Sequence, residues 1–233
     1  MSVLQLLCLP HARGSAAFYQ RWSESLPHWI EVRALNLSGL GIEPGSQSSM
    51  DIGMLVEQLA GECTETERQP RVLFGHGLGG LLAFELAHWL RLSGRDEPLA
   101  LFVSGSVAPA RVDCARRQAL KYLGDTWLHG LEDGPGRDAF VLPGGLQLPA
   151  GYVYRQRAPL RSSIHVLGRR QGGISAEMLL EWQQETRSDF SLDLLERHHF
   201  FIQQQEARTL RLVCRYCEHH LLRWRSEGLR ATG

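Results

Sequence analysis

The chain has 233 residues, 25 Lys+Arg against 25 Asp+Glu, and a sequence pI near 7.2. A neutral chain is a poor general binder of nucleic acid or of anionic membrane, since both need a positive field. At 43% hydrophobic and 21% charged residues it can bury a core, and it is not a disordered tail.

Of the basic residues only Lys121 is lysine, and the rest are arginine. Codon usage is one reading of that bias. A local positive site is the other. The cysteines Cys8, Cys63, Cys114, Cys214 and Cys217 are odd in number and do not read as a disulfide framework. The opening apolar run stops at Pro10 and His11, about eight residues in, too short for a signal h-region or a membrane span. The expectation is a soluble, cytoplasmic protein that binds neither nucleic acid nor membrane.

Short apolar runs alternate with longer amphipathic ones. Strands are predicted at 3–9, 30–37, 71–75, 99–103, 164–167 and 190–195. Helices are predicted at 15–26, with Ser15 as N-cap, and at 49–63, 78–92, 176–185 and 204–225. Strands alternating with helices imply right-handed crossovers and a mostly parallel sheet covered on both faces. The fold class is therefore α/β, with one domain over residues 1–233. The segment 107–159 is dense in glycine and proline and too long for an ordinary connection. It reads as a lid inserted over the C-terminal edge of the sheet, against the alternative of a loop with no role.

The most informative window is Arg71-Val-Leu-Phe-Gly75-His76-Gly77-Leu78-Gly79-Gly80. A strand enters a glycine-rich turn and leaves as a helix, which is the nucleophile elbow, G-x-S-x-G. Gly75 and Gly79 match its glycines. Gly77 stands where the serine belongs.

With four further blocks, the chain resembles the type II thioesterases that accompany nonribosomal peptide and polyketide synthetases, a branch of the α/β hydrolases. The blocks are Leu9-Pro10-His11-Ala12-Arg13-Gly14-Ser15, Ser104-Gly105-Ser106-Val107-Ala108-Pro109, Gly168-Arg169-Arg170-Gln171 with Trp182 beyond it, and Arg197-His198-His199-Phe200-Phe201. The resemblance implies an α/β-hydrolase fold and carrier proteins with a phosphopantetheine arm as partners. It also implies a small acyl or peptidyl substrate and no cofactor. It places the general base at His199, the nucleophile position at Gly77 and the acid position at Gln171. Its oxyanion donors would be the backbone N–H groups of Ala12 and Leu78. Phe200, after the base, and His11 and His76, which flank the site, are expected to line the substrate-binding pocket, the two histidines by packing or hydrogen bonding and not by catalysis. Gly77 has no side chain to attack with, and an amide at Gln171 cannot stabilise an imidazolium as a carboxylate does. The strand end Ser104-Gly105-Ser106 offers no substitute acid. Asp189, Asp193 and Glu177 are set aside.

Arg13, Arg169, Arg170 and Arg197 fall after strand ends, where ligands bind in open α/β sheets. They could clamp a carboxylate or the phosphate of a carrier arm. Cys214-x-x-Cys217-Glu-His219-His220 resembles half a zinc site, yet no second cluster matches it, and a buried helix face is the preferred reading. Trp22, Trp29, Trp89 and Trp182 are expected in the core. Three functions stay open: a protein doing non-covalent, His199-assisted chemistry such as direct hydrolysis, cyclisation or elimination; an inactive binding module for carrier protein or acyl group; and an editing thioesterase whose serine was replaced deliberately.

Overall fold

A computed structural model describes residues 4–9, 16–35, 52–63, 69–112, 139–142, 146–149, 152–170, 174–195 and 201–231. Its main sheet is built from β1 (Leu4–Cys8), β2 (Ile30–Ala34), β3 (Arg71–His76) and β4 (Ala100–Ser104), with β7 (Ser163–Arg169) and β8 (Phe190–Leu195). The order is β2-β1-β3-β4-β7-β8, and every pairing is parallel. The helices are α1 (Ala16–Gln20), α2 (Trp22–Ser25), α3 (Ile52–Glu62), α4 (Leu78–Leu92), α5 (Ala176–Leu180), α6 (Phe201–Gln204) and α7 (Glu206–Ala231).

The central strands β1, β3, β4 and β7 are buried nearly throughout because both faces of the sheet are covered, while the edge strands β2 and β8 are half-exposed and carry Glu31, Arg33 and Asp193. Side chains alternate between two cores with the period of the pleat. Leu73, Leu101, Val103, Ile164 and Val166 join the core beneath α3 and α4. Val72, Phe74, Ala100, Phe102 and Leu167 join the core beneath α1, α2 and α7. Trp22 and Trp182 are fully buried, and Trp29 and Trp89 pack partly buried against these cores, as expected of them.

Predicted and observed elements agree closely in the middle of the chain. Helix α4 has the predicted bounds, since its apolar surface runs almost all round it. The first predicted helix is two short ones broken at Arg21, and its Ser15 cap lies outside the described residues. The helix expected over 176–185 is α-helical only to Leu180 and then tightens into a 3₁₀ turn at Glu181–Glu185. The last helix runs six residues past its predicted end, to Ala231. In 107–159, an antiparallel hairpin of β5 (Ala139–Leu142) and β6 (Leu146–Pro149) was not foreseen. Residues 113–138 lie outside the described residues. Among the described residues no helix is long and apolar enough to cross a membrane, and Cys8, Cys63, Cys214 and Cys217 are free thiols.

Candidate active site

From β1 the chain passes to β2 on one side, and β3 leads to β4 on the other. The direction of winding reverses between β1 and β3. In open α/β sheets ligands bind outside the carboxyl ends of the strands at such a reversal. Gly77 follows the carboxyl end of β3, and Leu9 at the end of β1 donates its N–H to the Phe74 carbonyl at 2.8 Å.

The turn is an elbow. Gly77 has φ 55° and ψ −116°, a conformation L side chains rarely adopt. Its N–H donates to the Ser104 carbonyl at 2.8 Å, and its own carbonyl accepts from Gly80 N–H at 3.1 Å. The elbow is tight because strand and helix nearly touch. A Cβ on Gly75 would overlap the backbone of Gly79, and one on Gly80 would lie 3.0 Å from Val103 Cγ1. Among the described residues, a Cβ on Gly77 would meet nothing within 4 Å. Among those residues the apex therefore faces open space, with the first turn of α4 behind it. That first turn, beginning at Leu78, has N–H groups with no intrahelical acceptor and the positive end of the helix dipole.

The neighbouring strand ends frame this apex. His76 is half-buried, and its Nδ1 lies 3.1 Å from the Oγ of fully buried Ser104 at the end of β4. Ser106 is buried too, and its carbonyl accepts the Trp182 indole N–H at 2.9 Å. Arg170 is exposed just past β7, and its N–H donates to the Leu195 carbonyl at 2.9 Å. The strand ends that lead to Gln171 and to His199 are thus hydrogen-bonded neighbours. His11, Ala12, Arg13, Gln171, Arg197, His199 and Phe200 themselves lie outside the described residues.

The carboxylates set aside on sequence are occupied elsewhere. Asp193 accepts from Tyr216 at 2.8 Å and Asp189 pairs with Arg223 at 2.6 Å, both on α7. Glu177 sits in the first turn of α5, where a hydrogen bond from Ser175 lowers its pKa. The CxxC-HH stretch is a helix face, as preferred: Cys217 and His220 are buried against the sheet. Among the described residues no three His, Cys, Asp or Glu side chains group as a metal site.

Sequence reasoning missed two polar networks. His165 of β7, His220 of α7 and Ser191 of β8 form a chain, with His165 Nε2 2.7 Å from His220 Nε2 and His165 Nδ1 2.8 Å from Ser191 Oγ. Burial, and then the neighbouring histidines, push His165 down to about 3 and His220 down to about 4. On the opposite face, Glu85 of α4 accepts from Tyr152 at 2.7 Å and from Arg157 at 2.6 Å. That pair fastens the 152–160 segment to the helix that leaves the elbow. The one signal in the sequence was polarity where the pattern demanded apolar residues.

A parallel sheet with an elbow at its winding reversal defines the α/β-hydrolase class. The thioesterase-domain family matches residues 4–131, and the chain belongs to that family. It is 27% identical over 226 residues to the gramicidin S biosynthesis protein GrsT of Aneurinibacillus migulanus, covering 91% of this chain and 88% of that one. The structure of ClbQ from the colibactin nonribosomal peptide and polyketide pathway superposes with a TM-score of 0.75 at 25% identity, over 95% of this chain and 99% of that one. The type II thioesterase BorB from the borrelidin cluster superposes with a TM-score of 0.69 at 28% identity, over 92% and 93%.

Proposed function

We propose that this protein serves a nonribosomal peptide or polyketide assembly line, handling carrier-bound or released acyl groups without a covalent acyl-enzyme. The observation that carries the reading is an elbow kept in full while its apex is glycine. The φ of 55°, the close approach at Gly75 and the room beside Gly77 among the described residues are what a nucleophile requires, and of the elbow itself only the nucleophile's side chain is missing. The relatives GrsT and ClbQ, named for peptide and polyketide biosynthesis, support the setting. An acyl or peptidyl carrier protein with its phosphopantetheine arm is the partner, in the cytoplasm. Residues 1–233 act as one domain, with 107–159 as the lid.

The chemistry starts from a thioester carbonyl held over Gly77. Its oxygen takes hydrogen bonds from the N–H groups of Leu78 and Ala12, which stabilise the charge that develops there. His199 removes a proton from water, and the hydroxide adds to the carbonyl carbon. The intermediate expels the thiolate of the carrier arm, which recovers the proton from His199. An oxyanion site without a nucleophile retains roughly 10³-fold catalysis over water. With a nucleophile carried by the substrate in place of water, the same groups would give cyclisation. Arg170, Arg13 and Arg197 would hold the acyl or phosphate anion, with His11, His76 and Phe200 beside it. Gln171, at the acid position, would orient His199 without sharing its charge.

The test compares the native chain, Gly77→Ser and His199→Ala on acyl-carrier thioesters, with products identified by mass spectrometry. We expect a slow product that disappears in His199→Ala, and faster hydrolysis in Gly77→Ser. Tight carrier binding with no product would overturn the catalytic reading in favour of a binding module. Gly77→Ser hydrolysis at the rate of an ordinary serine hydrolase, with an inert native chain, would identify a disabled editing enzyme.

A further inference from the structure

At the opposite edge of the sheet from the elbow lies a cleft of about 790 Å³. It opens between the amino ends of β3, β4 and β7, the α4–β4 connection and the last turns of α7. β3 separates it from Gly77, and six residues at about 3.3 Å each put the two sites roughly 17–20 Å apart. Five arginines line the cleft against three acids.

The acids are already engaged or turned to solvent. Glu97 accepts the Arg161 backbone N–H at 2.7 Å and faces the Arg91 guanidinium at 3.9 Å, while Asp96 and Glu227 are exposed. Arg91 also donates to the carbonyls of Ala158 and Pro159, so it belongs to the scaffold. Arg91 stands in the last turn of α4, where the helix dipole favours a cation. That explanation does not extend to the rest. Arg71 donates to the Cys63 carbonyl at 3.3 Å and Arg223 pairs with Asp189 at 2.6 Å, which leaves Arg95, beyond the helix, and Arg161, ahead of β7.

Three buried polar atoms in this cleft have no hydrogen-bond partner among the described residues: Arg95 Nη1, Ser162 Oγ and Gln69 Oε1. Ser162 is 1% exposed. An unpaired buried guanidinium nitrogen is costly, and folded proteins keep few such groups. Their three separate segments, ahead of β3, after α4 and ahead of β7, line the one cleft, where Arg95 and Ser162 can donate to an anion and the Gln69 oxygen can only accept. A carboxylate would satisfy a single guanidinium fork. A phosphate, with three terminal oxygens, accepts from several directions at once. The cleft exceeds a bare phosphate and is within the range of small-molecule sites. Half-buried Trp224 supplies a flank for an organic portion.

We propose that this cleft binds a phosphate-bearing small molecule through Arg95, Ser162 and Arg161, at a second site independent of the elbow. It rests on no assumption about the chemistry at Gly77.

The test is calorimetric titration of the full chain with pyrophosphate, with citrate at matched ionic strength as the carboxylate control, followed by Arg95→Gln and Ser162→Ala. We expect saturable pyrophosphate binding with Kd below ~1 mM, weaker citrate binding, and a loss of about tenfold in each variant. We also expect Arg95→Gln, without pyrophosphate, to melt close to the native chain, since it removes a half-buried guanidinium with one unpaired nitrogen and loses only its contact over the Trp89 ring at 5.3 Å. Absence of saturable binding at ~10 mM overturns the proposal, as do equal affinity for citrate or unchanged affinity in both variants. If Arg95→Gln melts well below the native chain, that arginine is structural, and unchanged binding in Ser162→Ala then overturns the site.

Discussion

Three glycines near the elbow have three different reasons to be glycine. Gly75 allows backbone contact, Gly80 allows the close approach of β4, and Gly77 allows a positive φ. Of the three, only Gly77 has room for a side chain among the described residues. Its substitution is therefore strained but not blocked, at about 1–2 kcal/mol for an unfavourable φ. A methyl at Gly75 must instead move backbone, at roughly 3 kcal/mol or more. Urea unfolding should rank Gly75→Ala well below Gly77→Ser. The opposite ranking would mean that the turn opens easily and that its tightness serves nothing at the apex. These glycines were legible in the sequence because the constraint that selects them is local backbone geometry. Gly77 at a serine position was legible for the same reason. The roles assigned to His199, Gln171 and Ala12 rest on pattern alone, since those residues lie outside the described ones.

Helix α7 shows an amphipathic element given a specific seat by two buried polar groups. Leu210, Val213, Cys217 and Leu221 follow the helical period and face the sheet, with His220 among them. Tyr216 stacks on His165 with ring centroids 3.8 Å apart, and its hydroxyl donates to Asp193. The His165–His220 bond needs one Nε2 that donates and one that accepts, so protonating both rings breaks it. Both titrate near 6.5 when exposed and are pushed down to about 3 and about 4 when folded. Between those values the unfolded chain binds more protons than the folded one, so stability rises with pH. The contribution is complete above pH 6.5 and is lost as pH falls toward 4. Urea midpoints measured from pH 7 to pH 4 should fall steeply in the native chain. They should fall less in the double variant His165→Phe/His220→Leu, which removes both groups together. His88, pushed down to about 3 by burial first and then by Arg157 and Arg91, keeps some slope in either protein. An unchanged slope in the double variant would mean that the pair protonates freely and does not hold α7 closed.

Across the whole molecule, the sheet and the helices on its two faces give the chain two cores. Cys8 of β1 and Cys217 of α7 lie in the same core, fully buried, and burial raises both thiols well above their ordinary range. Cys63 lies in the other core and is raised to about 11. The thiolate is the reactive form, so at pH 8 these three should resist an alkylating reagent until the protein unfolds. Half-exposed Cys214 should react in the native protein. Labelling followed by peptide mass spectrometry across a urea series should show Cys8 and Cys217 appearing together with global unfolding. Early labelling of Cys217 alone would show that α7 detaches as a separate unit.

The sequence by itself determined the α/β class, the bounds of α4, the elbow and the replacement at its apex. Each of these is written in local periodicity or in the steric demands of a few neighbouring residues. Tertiary structure alone decided what partners the polar residues found across distance. His165 and His220 are 55 residues apart, and Glu85 and Arg157 are 72 apart. Gln69, Arg95 and Ser162 come from separate segments and meet only because β3, β4 and β7 start side by side. The arginine excess divides the same way. Its size is plain in composition, but which arginines line a cleft with unpaired donors depends on how the strands are ordered. A parallel sheet sets that order through long-range pairing, which no local window of the chain encodes.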